Sequence, residues 1–261
     1  MLQRLQYLWN KRGSGLTALL LSLLFSPLSQ AALPPDYKMV LLTENFPPFN
    51  MAEHGKNFAR DANIRGISAD TVREMFKRAG IDYSLTLRFP WDRIYQQTMT
   101  TANHGLFSTS MSEARKPLFK WVGPIAEYQS VLVGRKGSHP QLSTLEQAKA
   151  YRVGAYQSAA VSQHLERLGF TPQNALRDQE NIRKLQRGQI DLWATSDPVW
   201  RVYAKEQGVD DLQTVLSFET SQLYLALNKD TPDEVVERLQ AALEQMRSEG
   251  YGSCAKNPEL C

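Results

Sequence analysis

Three stretches of this chain combine residue types able to hold a small polar molecule. In Ser108-Thr-Ser-Met-Ser-Glu-Ala-Arg115, followed by Phe119-Lys-Trp-Val-Gly-Pro124, several hydroxyls surround one arginine. A guanidinium offers a carboxylate two parallel N–H donors, and nearby hydroxyls can take the remaining lone pairs. The commoner fate of a lone arginine is a solvated surface. In Ile190-Asp-Leu-Trp-Ala-Thr-Ser-Asp197-Pro198 an acid follows a run typical of a buried strand. Asp197 is then either the anion that meets a ligand cation or a plain helix cap, with Pro198 as a plausible first helical residue. The third stretch, Asn45-Phe-Pro-Pro-Phe49, is a stiff turn directly after an apolar run. Ligands in open parallel sheets sit beyond the carboxyl ends of strands, so aromatics there are well placed. Phe46 divides evenly between that role and plugging the edge of the core; Phe49 reads as core.

Signs of an enzyme are weak. There is no G-x-S-x-G, no phosphate-cradling glycine loop and no cysteine outside Cys254 and Cys261. A carboxylate acid/base pair cannot be picked from sequence, because Asp and Glu are too common. His54, His104, His139 and His164 are scattered without a second ligand at metal spacing, so neither a metal nor another cofactor is expected.

The elements that must position these stretches alternate between strand and helix. Tyr37–Thr43 is strand-like and stops at Pro47-Pro48, and the polar stretch Ala52–Arg65 reads as an exposed loop. Ser68 is placed to cap a helix with Val72, Met75, Phe76 and Ala79 on one face and Gly80 at its end. Tyr83–Phe89 alternates as a strand, and Pro90 opens a helix through Ile94 and Met99. Strands follow at Tyr128–Gly134, Tyr151–Ala155, Ile190–Thr195 and Leu223–Leu227. Between them lie helices marked by Val161, Leu165 and Leu168, and by Ile182 and Leu185. Ser143-Thr-Leu-Glu146 and Thr231-Pro-Asp-Glu234 have the form of capping boxes. The pattern predicts an α/β architecture with largely parallel sheets.

The first residues read as a secretory signal: Arg4, Lys11 and Arg12, the apolar run Leu16–Phe25, then Ser29-Gln30-Ala31 before cleavage. A retained anchor is the alternative. The chain carries 30 Lys and Arg against 27 Asp and Glu, but three of the bases and none of the acids precede residue 32. The mature chain is therefore near neutrality, which gives no support to a nucleic-acid partner. Its length suits two lobes better than one core. Cys254 and Cys261 either pair in an oxidising compartment or remain free thiols on the tail.

Taken in order, these segments resemble the family 3 extracellular solute-binding proteins, the polar amino-acid receptors of bacterial ABC importers. The resemblance runs from about Tyr37 to Gly250 and includes Gly66-Ile-Ser-Ala-Asp70 and Tyr156-Gln-Ser158. It implies a periplasmic, monomeric protein of type II periplasmic binding fold, each lobe a mixed, mostly parallel sheet flanked by helices. Lobe one would hold residues 32–128 and 223–261, lobe two residues 129–222, with crossings near Glu127–Val133 and Ser221–Leu227. The ligand would be an amino acid or similar zwitterion, and the partner an inner-membrane ABC permease. By the same resemblance Arg115 takes the carboxylate, Ser110, Ser112 and Ser158 contribute hydroxyl and backbone contacts, and Asp197 takes the α-ammonium group. Phe46 and Trp91 flank the side chain, and Glu44 sits among the residues that read it. Two alternatives share the scaffold: an enzyme resembling the cyclohexadienyl dehydratases, with Glu44 as its acid, and a ligand-sensing partner of a membrane receptor.

Overall fold

The computed structural model describes residues 33–251, so the segment expected to be a secretory signal and both cysteines lie outside the described residues. On one side of the sheet run β1 (Lys38–Thr43), β3 (Phe58–Arg60), β5 (Asp82–Arg88) and β6 (His104–Ser110), after a small separate ribbon of β2 (Met51–Ala52) and β4 (Ile64–Arg65) is set aside. The other side holds β8 (Val153–Tyr156), β9 (Gln173–Ala175) and β10 (Leu192–Asp197). Two strands of 16 residues each, β7 (Lys120–Arg135) and β11 (Leu212–Leu227), stand between them. The order is β3-β5-β1-β6-β11-β7-β10-β8-β9.

The long strands pair antiparallel from Leu212 with Arg135 to Leu227 with Lys120. Each also serves a second neighbour: Leu223–Leu227 of β11 border β6, and Gln129–Val133 of β7 border β10. Away from them the pairs are parallel, β1 with β5 and β6, and β8 with β9 and β10; only the edge strand β3 runs against β5. Parallel neighbours need crossovers. Helices α1 (Ile67–Ala79) and α2 (Trp91–Thr100) supply them on one side, and α3 (Ala160–Arg167) and α4 (Glu180–Gln186) on the other. The last two helices are α5 (Val199–Glu206) and α6 (Asp233–Ser248), the latter packed on α1 and β7.

Period-two alternation decides which side chains go to which core. Val131, Val133 and Trp193 pack with Ile182, Trp200 and Tyr203 on one face, while Leu132, Leu192 and Ala194 pack with Val153 and Leu165 on the other. A third cluster joins Leu42, Ile94 and Leu106.

Several expectations need correction. The stretch 52–65 is not a plain loop: Ala59 and Ile64 are buried, and β3 caps the sheet edge. Ser68 lies inside α1 and is buried; the N-cap is Gly66, at φ +119°. A Cβ there would stand 2.5 Å from the Phe49 carbonyl oxygen, so only glycine lets the helix start press on the Pro47-Pro48 turn. Neither capping box forms; at Ser143 and Thr144 the backbone N–H groups donate to the Gln147 side chain instead. Strand β6 is not among the strands the sequence pattern marks, because a strand covered on both faces shows no polar alternation to find.

Candidate ligand-binding site

Parallel strands place their carboxyl ends side by side, and a cavity of about 90 Å³ lies beyond them. Its wall takes Glu44 from just past β1, Phe89 from past β5, Ser108 and Ser110 from the end of β6, and Tyr156 from the end of β8. Arg177 and Asp178 follow β9, and Thr195 and Ser196 close β10. The measure is several times the space one water requires, the scale of a small molecule rather than a peptide.

Arg115 opens the short 3₁₀ turn Lys116–Leu118, and its guanidinium is almost wholly buried, at 3% exposure. Nη2 donates to the Ser158 carbonyl at 3.1 Å and to Gln163 Oε1 at 3.0 Å, and the plane lies 5.2 Å from the Tyr95 ring centroid. Nε has no partner, and among the described residues no carboxylate pairs with this cation. Burial pulls its pKa below the usual arginine range, although the side chain remains charged. Beside it, the hydroxyls of Ser110 and Tyr128 are hydrogen-bonded at 2.8 Å. Ser108, held at φ +58°, donates to Asn50 Oδ1, and Asn50 Nδ2 donates to the Glu44 carbonyl, which ties the first turn to β6.

Two acids occupy the same wall, Glu44 buried and Asp178 half-buried. The Tyr156 hydroxyl donates to the Glu44 carboxylate, 2.8 Å from both oxygens, and accepts the Trp91 N–H at 3.2 Å. Burial pushes the Glu44 pKa up to about 8; the charge of Asp178 adds to this, while the Tyr156 hydrogen bond and Arg177 oppose it. Asp178 accepts Trp193 Nε1 at 2.8 Å on one oxygen and Thr195 Oγ1 at 2.6 Å on the other. Burial raises it to about 6 against those two bonds. Arg177 turns aside to stack 5.2 Å from the Phe89 ring centroid. Tyr203, buried and holding its proton well above the ordinary phenol range, donates to the Asn45 carbonyl at 3.2 Å. Phe46 stacks on Phe49 at 5.4 Å and meets Tyr128 edge-on at 5.7 Å.

Of the residues expected from sequence, Glu44, Phe46, Trp91, Ser110 and Arg115 line the cavity together. Ser112, Ser158 and Asp197 do not. Ser112 Oγ accepts the Arg115 N–H and so shapes its turn, while Ser158, at φ +61°, offers Arg115 its carbonyl. Asp197 is bound by Arg201 Nε at 2.9 Å and Nη2 at 2.7 Å and by Trp200 Nε1 at 3.1 Å. Asp197, expected to take the ligand's α-ammonium group, instead turns its carboxylate to the helix that follows, where Arg201 stands one turn on. Asp178, Tyr203 and Asn50 were not anticipated. Asp178-Gln-Glu180 reads like any acidic helix start, and only the cavity distinguishes it.

Residues 39–253 match the family model for bacterial extracellular solute-binding proteins, family 3. A comparison with curated protein sequences finds no match. Among solved structures the chain is similar to an ancestral arginine-binding protein bound to arginine, with 23% identity, a TM-score of 0.67, and coverage of 82% of this chain and 94% of that one. The arginine-, lysine-, histidine-binding protein ArtJ from Geobacillus stearothermophilus is 21% identical, with a TM-score of 0.68 and coverage of 82% and 90%. A histidine kinase sensor domain with similarity to periplasmic binding proteins reaches a TM-score of 0.72 at 17% identity, covering 82% and 92%. These likenesses establish the shared fold.

Proposed function

Because the chain belongs to the bacterial extracellular solute-binding proteins, family 3, we propose that it captures an amino acid or a similar small zwitterion in the periplasm and passes it to an inner-membrane ABC importer. The observation that carries this reading is Arg115: a buried cation on a cavity wall, with no acid beside it and Nε unpartnered. Taking a charge out of water without a counter-charge costs several kcal/mol. A ligand carboxylate would repay that cost through charge-assisted bonds, helped by the Ser110 hydroxyl. Phe46 and Trp91 would wall the rest of the molecule. In this reading residues 32–128 and 223–261 form one lobe and 129–222 the other. The bonds from Arg115 to Ser158 and Gln163, and from Tyr156 to Glu44, then join the lobes across the cleft. The protein would work as a monomer.

A panel of amino acids, polyamines and small dicarboxylates in a thermal-shift assay tests the proposal. A ligand at a hundred times its dissociation constant adds about 2.7 kcal/mol of stability. Absence of a shift with every member would overturn it.

One observation favours a second reading. Glu44, buried on the cavity wall, retains its proton at neutral pH, as a general acid must. Turnover of prephenate or arogenate that disappears in Glu44→Gln would establish an enzyme in place of a carrier.

A further inference from the structure

Arg115 is committed on one nitrogen and open on another. Nη2 has two N–H groups and two acceptors, the Ser158 carbonyl at 3.1 Å and Gln163 Oε1 at 3.0 Å, while Nε is buried without a partner. A planar guanidinium can grip a carboxylate with two prongs along either of two edges, Nε with Nη2 or Nη1 with Nη2. Both edges need Nη2. A carboxylate therefore takes Arg115 with two prongs only when Nη2 gives up one acceptor it already has.

The two acceptors differ in how readily they yield. Ser158 contributes backbone, held at φ +61° just before α3. Gln163 contributes the end of a flexible, half-buried side chain in the first turn of α3. Its oxygen must be the atom that faces Arg115, since a guanidinium offers the amide N–H groups no acceptor. This segment lines the cavity with Ala159, Ala160 and Val161, so Gln163 holds Arg115 from behind the wall. The bond is that of a neutral acceptor, which leaves the positive charge unanswered. The charged side chain of α3 that Arg115 feels is another cation, Arg167. Bonds to an ionised acceptor are roughly twice as strong as those to a neutral one. An incoming amide or carbonyl would exchange one neutral bond for another and gain nothing, whereas a carboxylate would gain the difference.

We propose that Gln163 is a specificity-determining residue: its amide oxygen competes for Arg115, so that an anionic acceptor draws the guanidinium away and a neutral one does not. This rests on the reading of Arg115 as the carboxylate site and names what regulates that site from the far side of its wall.

The test titrates sodium acetate, and acetamide as its neutral counterpart, into the full mature chain at constant ionic strength. The reporter is the ¹H–¹⁵N resonance of Arg115 Nε–H. Gln163→Met keeps the length of the side chain without its acceptor. It should bind acetate about 2- to 12-fold more tightly, the factor that one net hydrogen bond corresponds to. Acetamide should gain at least as much, so discrimination between the two narrows. Gln163→Glu places a permanent anion against Arg115 and should abolish the acetate response. A residue that only props Arg115 in place would instead weaken acetate binding in Gln163→Met. That result, or unchanged binding of both probes, overturns the proposal and leaves the carboxylate reading standing. Acetate that leaves Nε–H unmoved in wild type and in both variants sinks the carboxylate reading and this proposal with it. If the variants do not fold, the Gln163 side-chain amide of the wild type decides: it should shift with the same half-saturation as Arg115 Nε–H, and an unmoved amide overturns its role.

Discussion

The hydroxyl of Tyr156 lies 2.8 Å from both carboxylate oxygens of Glu44, a residue 112 positions earlier in the chain. One strand end from each side of the sheet is thereby joined through a single proton donor, and the acid it touches is buried beside a second acid, Asp178. Most of what can be tested about this protein follows from that contact and from the unpaired arginine on the same cavity wall.

Stability should fall as pH rises from mildly acidic to mildly alkaline. Asp178 and Glu44 keep their protons up to about pH 6 and about pH 8 in the folded chain, well above the ordinary carboxylate range. Across that window the folded state binds more protons than the unfolded state, so raising pH favours unfolding. Each unit of pKa difference is worth about 1.4 kcal/mol, so the loss should be on the order of a few kcal/mol. Urea unfolding of the ligand-free protein at several pH values measures it. Between pH 7 and 8 most of the remaining proton release comes from Glu44, and Glu44→Gln should flatten that part of the curve.

Tyr156→Phe removes the donor that faces Glu44 and the acceptor of the Trp91 amide. Unmade buried hydrogen bonds cost about 1–3 kcal/mol. We expect a loss of that size in ligand-free denaturant unfolding, and a Glu44 carboxyl that titrates higher still, visible by carboxyl ¹³C NMR. An unchanged midpoint would show that the contact carries no weight.

Arg115→Met should separate binding from stability. Removing an unpaired buried cation relieves a desolvation cost while losing bonds to Ser158 and Gln163. Unfolding without ligand should therefore stay within about 1 kcal/mol of wild type or rise. Any carboxylate ligand found in the thermal-shift panel should lose its effect in this variant. A large ligand-free destabilisation would make Arg115 structural.

Gly66→Ala meets two penalties: φ of +119° and a Cβ 2.5 Å from the Phe49 carbonyl oxygen. A backbone conformation of that kind costs about 1–3 kcal/mol for a residue with a side chain. The clash must also displace the turn that carries Phe46 and Asn50. Lower unfolding free energy together with weaker ligand binding is expected. Asp197→Asn, by contrast, breaks a partly exposed pair with Arg201 and should cost less than about 1 kcal/mol with binding intact.

The α/β class, most helix positions and the shared place of Glu44, Phe46, Trp91, Ser110 and Arg115 on one cavity wall were legible in the chain, because periodicity and motif order are local or ordered properties of a sequence. A guanidinium preceded by hydroxyls keeps its meaning wherever the strand before it lies. Strand β6 was lost because burial on both faces erases alternation. The roles of Asp197 and Asp178 depended on something no local pattern records, namely which way an acid at a strand end turns. Asp197 has an arginine one helical turn ahead and closes on it. Asp178 forms no ion pair among the described residues and lines the cavity, anchored by Trp193 and Thr195 from a strand 15 and 17 residues away. Sequence determined which charges this protein owns. Only the packing of β9 against β8, and of β8 against β10, decided which of them would line the cavity without an ion pair, since desolvation is a property of what surrounds a group in space.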